Sequence, residues 1–192
     1  TELREIFLES YEQFRRFDVR LHGLDELHRA MDLQRGVLLL GSHLGSFDVL
    51  RVLSLQRPDV TVRVVLDVGH NAAITSLLAA LNPQLAAGII DARQDGPSIV
   101  LAIKQAVDHN QLVTLLADRA RPGEPGAQAH FLGGTATLPT APWLIAAALG
   151  VPVVLCFGLY RGGNRYDLHF EVVSERIVIE RRERRQAIGA LV

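Results

Sequence analysis

The chain has 192 residues, a formal net charge of −1, 48% hydrophobic side chains and a single cysteine, Cys156. This describes one domain over residues 1–192, long enough for a full core and without a disulfide framework. The charge balance excludes a general nucleic-acid binder, which would be clearly basic, and no Cys/His cluster stands at zinc-ligand spacing along the chain.

Residues 2–17 repeat Leu3, Ile6, Phe7, Tyr11, Phe14 and Phe17 between Glu and Arg, which predicts a one-sided amphipathic helix. Such a helix packs on its own domain or lies on a bilayer. Residues 19–23 alternate and predict an edge strand, and 24–31 predict a helix, with His22 and His28 structural or exposed. Gly36 then opens the run Val37-Leu38-Leu39-Leu40, a strand apolar on both faces and therefore buried on both. The character changes at Gly41-Ser42-His43-Leu44-Gly45-Ser46-Phe47-Asp48. Ser46 suits a helix N-cap, and Phe47, Leu50, Val52 and Leu53 continue at helical spacing through about residue 56. His43 is thus placed at the carboxyl end of a strand, and Asp48 in the first turn of the next helix.

That placement allows a base and its orienter. On one helix the pair would stand roughly 140° apart and could not meet. A strand-to-helix turn loosened by Gly45 can instead fold the imidazole over the helix start. Asp48 then accepts a hydrogen bond from one ring nitrogen, and the other is free to take a proton from a substrate hydroxyl. The competing reading is a surface-loop histidine near an N-terminal carboxylate.

Further along, 60–66 predict a strand, 71–81 a helix, 87–90 a short strand, and Asp95-Gly96-Pro97-Ser98 opens a helix to Asp108. Residues 112–117 predict another buried strand, ending at Asp118. Residues 119–130 are rich in Pro and Gly and read as a long loop that hangs Arg119 and Arg121 near the strand ends. No charge falls between Thr135 and Tyr160. Gly150 and Pro152 divide that stretch into a core helix (141–149) and a core strand (153–160), each too short to span a membrane. Residues 160–166 form a turn into a last strand, and a charged helix begins near Glu180.

Strands alternating with helices at these intervals predict an α/β fold. Its mostly parallel sheet is covered by helices on both faces, with an antiparallel hairpin near the C-terminus. Ligands in such sheets bind beyond the carboxyl ends of the strands. His43 and Asp118 both fall there, with Asp67, His70 and Asp91 nearby.

Gly41-Ser-His43-Leu-Gly-Ser-Phe-Asp48 resembles the H-x4-D/E motif of the lysophospholipid acyltransferase superfamily, in the branch of the bacterial lipid A acyltransferases. Leu116-Ala-Asp118-Arg119, Phe131-Leu-Gly-Gly134, Leu138-Pro-Thr-Ala-Pro142 and Gly150-Val-Pro-Val-Val154 follow in the order seen in that branch, so the likeness runs over about residues 20–175. The resemblance implies that His43 and Asp48 are catalytic, and that Gly45, Ser46, Asn71, Asp118, Arg119 and Phe131 contact substrate. Members usually begin with a membrane helix and continue into further helices. The resemblance therefore implies a soluble relative or a piece trimmed at its C-terminus. The Glu-Gly-Thr-Arg phosphate motif of the phospholipid branch is absent, which points away from a glycerol phosphate acceptor. In the stretch from Val64 to Asn71, where the lipid A branch tends to carry an arginine, only Asn71 matches. That points away from a lipid A disaccharide acceptor.

The expected activity is O-acyl transfer from an acyl carrier protein or coenzyme A thioester to a hydroxyl of a lipid or glycolipid. No resident cofactor, metal or nucleic acid is expected, and the protein would work peripherally on the cytoplasmic face of a bacterial inner membrane. Two alternatives stand beside it. One is a thioesterase or ester hydrolase using the same dyad. The other is a non-enzymatic nucleotide-binding module read from Gly41-x-x-x-Gly45, which lacks the usual Gly-Lys-Ser/Thr and G-x-G-x-x-G fingerprints.

Overall fold

A computed structural model describes residues 18–44, 60–69, 88–120, 123–179 and 184–191. The helices expected over 2–17, 48–56 and 71–81 lie outside the described residues. So do the candidate site residues Gly45, Ser46, Asp48 and Asn71, together with His70 and Arg121.

The described elements follow in chain order as β1 (Asp18–His22), α1 (Leu24–Asp32), β2 (Val37–Gly41), β3 (Val62–Leu66), β4 (Ile89–Asp91), α2 (Gly96–Asp108) and β5 (Leu112–Leu116). They continue as β6 (Gly126–Phe131), β7 (Gly134–Pro139), α3 (Ala141–Leu149), β8 (Val153–Tyr160), β9 (Arg165–Ser174) and α4 (Arg184–Leu191). Seven strands form one sheet in the order β1-β9-β8-β2-β5-β3-β4. Every pairing in it is parallel except β8 with β9. The mostly parallel sheet with a late antiparallel hairpin is thus the observed fold.

The apolar run of β2 is explained by its position. Val37, Leu38, Leu39 and Leu40 are all essentially inaccessible. Leu38 and Leu40 join one core cluster with Ile103, Ala106 and Val107 of α2 and Trp143 and Ala146 of α3. Val37 and Leu39 join a second cluster with Leu27 and Ala30 of α1. Alternate side chains of a strand point to opposite faces, so a strand central to a sheet covered on both sides has no polar face to offer.

β8 runs from the core to the surface and carries Cys156, which lies opposite Phe170 of β9. Burial pushes the Cys156 thiol up to about 12, leaving roughly 10³-fold less thiolate at neutral pH than a free thiol would hold. Alkylation by iodoacetamide at pH 7 is therefore expected to be slow in the native protein and fast in denaturant. Equal rates in the two states would contradict this packing.

The stretch over 119–130 departs from expectation. Its second half is β6, which pairs antiparallel with β7 in a separate two-stranded sheet. The strand was hidden because Gly126-Ala-Gln-Ala-His-Phe is poor in β-branched residues and follows two prolines. Turn chemistry forms it instead. Leu132 and Gly133 occupy left-handed backbone, with φ 50° and 79°, the geometry of a two-residue hairpin turn. Leu132 projects from that turn 91% exposed, and Phe131 is 62% exposed beside it.

Candidate active site

The site begins with strand register. β2 and β5 are parallel neighbours, with Gly41 opposite Leu116, and the Ala117 amide donates to the Gly41 carbonyl at 2.9 Å. Two further steps along each chain bring His43 and Asp118 together. The two strands also leave the sheet in opposite directions, β2 leading towards β3 on one side and β5 towards β8 on the other. Their shared carboxyl end lies on the rim where open α/β sheets bind ligands.

At that end the Asp118 carboxylate takes two hydrogen bonds from one residue. Oδ2 accepts from the His43 backbone N–H at 3.0 Å, and Oδ1 lies 2.9 Å from His43 Nδ1. The Leu44 amide donates to Ser42 Oγ at 3.1 Å, a local turn that bends the chain just after the strand. The His43 side chain is 47% exposed and that of Asp118 is 29% exposed. The ring thus faces outward while its partner is shielded behind it.

Arg119 Nε lies 3.1 Å from the same Nδ1. One ring nitrogen cannot both donate to Asp118 and accept from Arg119. The carboxylate contact is shorter and charge-assisted, and the backbone amide anchors it, so the tautomer with hydrogen on Nδ1 fits best. Arg119, which is exposed, then keeps its N–H groups available for a substrate oxygen. Among the described residues, both contacts of the ring fall on Nδ1 rather than Nε2.

Partial burial raises the affinity of Asp118 for a proton, but the hydrogen bonds from the His43 backbone amide and ring outweigh it. The net effect holds the carboxyl below its ordinary value. Its sign follows directly: the interaction is present above the ordinary carboxylate range and is lost only as pH falls through the still lower native value. Asp118 is therefore an anion throughout the neutral range.

The other acids near the strand ends have local duties. Asp67 Oδ1 accepts from the Gly69 amide at 3.0 Å. Asp91 pairs with Arg93 at 2.9 Å, and the hydrogen bond from the Arg93 side chain holds its carboxyl low. Of the expected site residues, the structure brings His43, Asp118 and Arg119 together. Phe131 stands at the hairpin tip rather than among the ring's described partners. Sequence reading put Asp118 in the same cleft but did not find that it bonds the ring directly. The only available signal was that both residues stand two places beyond the end of a buried strand.

Residues 6–176 match the family model described as bacterial lipid A biosynthesis acyltransferase. No curated protein matches the chain.

Proposed function

The chain belongs to the bacterial lipid A biosynthesis acyltransferase family, and on that premise we propose that His43 is the general base of an O-acyl transfer. The donor is a thioester of acyl carrier protein or coenzyme A, and the acceptor is a hydroxyl of a lipid or glycolipid. Nε2 of His43 takes the hydroxyl proton as the oxygen attacks the thioester carbonyl. The tetrahedral intermediate then collapses, and the departing thiolate receives that proton from the imidazolium. An alcohol is a poor nucleophile and a thiolate a good leaving group, so a base on the alcohol is the help the reaction needs. No covalent enzyme intermediate is required.

The observation that carries this reading is the paired contact of Asp118 with the amide and Nδ1 of His43. A carboxylate there holds the tautomer that leaves Nε2 bare, and it stabilises the imidazolium when that forms. Arg119 is the proposed donor to the developing oxyanion, with the backbone amides at Gly45 and Ser46 expected to assist. Asp48 is proposed as a second carboxylate of the site on the strength of its place in the H-x4-D pattern, and Asn71 and Phe131 as substrate contacts. The exposed Phe131–Leu132 tip gives the hairpin an apolar end suited to a lipid acceptor at the cytoplasmic surface of a membrane. Among the described residues no helix is long and apolar enough to cross one.

The test is thiol release from an acyl thioester, with and without a lipid acceptor. Release that depends on acceptor and yields an acylated lipid supports transfer. Equal release without acceptor, yielding free acid, makes the protein a hydrolase using the same base. Asp118→Asn is expected to lower turnover by roughly 10³- to 10⁴-fold, as an orienter lost to the wrong tautomer does elsewhere. Because Asp118 is held low, the wild-type rate above pH 5 should show no limb that disappears in this variant. Full activity of Asp118→Asn would remove Asp118 from the mechanism.

A further inference from the structure

We infer that the edge of the main sheet carries a transition-metal site formed by His22, Asp167 and His169, remote in sequence from the His43 motif. The parallel pairing of β1 with β9 sets His22 directly beside His169 and Arg20 beside Asp167. Alternate residues of a strand share a face, so His22, His169 and Asp167 lie together. The opposite face of the same strands sends Leu21, Leu168 and Phe170 into the second core cluster. One ligand atom from each of the three residues lies within 4.8 Å of the others. The two imidazoles stack with centroids 4.4 Å apart and planes 7° from parallel.

Two imidazoles and one carboxylate are a donor set for zinc or a neighbouring first-row ion, with a remaining position for water. Calcium and magnesium prefer more oxygen ligands and are poorly served by it. Nitrogen and oxygen ligands stand about 2.0–2.2 Å from zinc, so closure around an ion needs the stacked rings to turn about χ2. That torsion is broad for histidine, and His22 is exposed. The competitor for Asp167 is Arg161, whose Nε lies 3.3 Å from Oδ2 and whose side chain is 62% exposed. Arg20 stands on the same face as a second cation. An exposed guanidinium gives way at small cost. Sequence spacing could not reveal this site, because its ligands come from two strands far apart along the chain.

The experiment is titration of the untagged, EDTA-treated protein with Zn²⁺ by calorimetry, and with Co²⁺ by visible absorption. Wild type should bind one equivalent of Zn²⁺ at micromolar or tighter dissociation constant, and Co²⁺ should develop d–d bands. Mg²⁺ should give no saturable signal. His22→Gln and His169→Gln should each weaken Zn²⁺ at least tenfold, and Asp167→Asn less, while His43→Ala should leave binding unchanged. Zn²⁺ should also raise the melting temperature of wild type but not of the double histidine variant. Absence of a one-equivalent isotherm, or one that survives both histidine substitutions, would overturn the site. Should the double variant fold poorly by circular dichroism, the Co²⁺ spectra of the single variants decide.

Discussion

Replacing His43 with alanine is expected to lower acyl transfer by about 10²- to 10⁴-fold, the range a positioned general base contributes, with little change in melting temperature. The ring is half-exposed and belongs to neither core cluster. Its removal leaves the His43 amide still donating to Asp118, so no charge is left without a partner. Exposed changes of this kind usually stay within about 0.5 kcal/mol. Activity and stability should therefore separate, which a merely structural histidine would not allow. Two companion variants assign the carboxylates. If Asp118→Asn falls nearly to the level of His43→Ala and Asp48→Asn does not, the orienter is the residue on β5. The reverse result would give that task to the H-x4-D carboxylate. Retained turnover in His43→Ala would end the general-base mechanism altogether.

Gly36→Ala should cost the fold more than any change at the site. Gly36 has φ 66°, left-handed backbone that costs an L-residue about 1–2 kcal/mol. An added Cβ there would lie 2.6 Å from Val107 Cα and 2.7 Å from Val107 Cβ. Val107 belongs to α2 and is itself 4% exposed, so the helix would have to move away from the sheet. Such overpacking costs about 1–3 kcal/mol more. Together this is a large share of a typical net stability of about 5–15 kcal/mol. Urea unfolding should show a midpoint lowered by about 1–2 M for an ordinary m-value. Gly96→Ala is the control, since a Cβ at Gly96 meets nothing within 4 Å. An unchanged midpoint in Gly36→Ala would mean that β2 and α2 do not pack as described. The consequence reaches the site, because β2 ends two residues before His43.

Much of the architecture was legible because single-residue chemistry dictated it. A strand with no polar residue must be buried on both faces, so the four-residue run from Val37 announced a central strand and, with it, a layered α/β domain. Gly150 and Pro152 divided an uncharged stretch that hydropathy alone would have run together. The C-cap at Gly150 has φ 65°, left-handed backbone that glycine accepts freely. Where pairing rather than side-chain pattern made the structure, the sequence was silent. β6 and β7 are held by backbone hydrogen bonds and a turn at Leu132–Gly133, and the composition of β6 resembles a loop.

The site divides in the same way. Composition and periodicity determined that His43 and Asp118 each follow the end of a buried strand, where a parallel sheet exposes its ligand-binding rim. Which strands are neighbours is not a local property. It depends on how the connections cross the sheet, and only the tertiary order placing β5 between β2 and β3 made Gly41 face Leu116. From that register the contact follows, since equal steps along parallel neighbours keep residues abreast. The sequence set two reactive groups at strand ends; the strand order joined them, because hydrogen-bonded pairing fixes at about 5 Å a separation that chain distance leaves open.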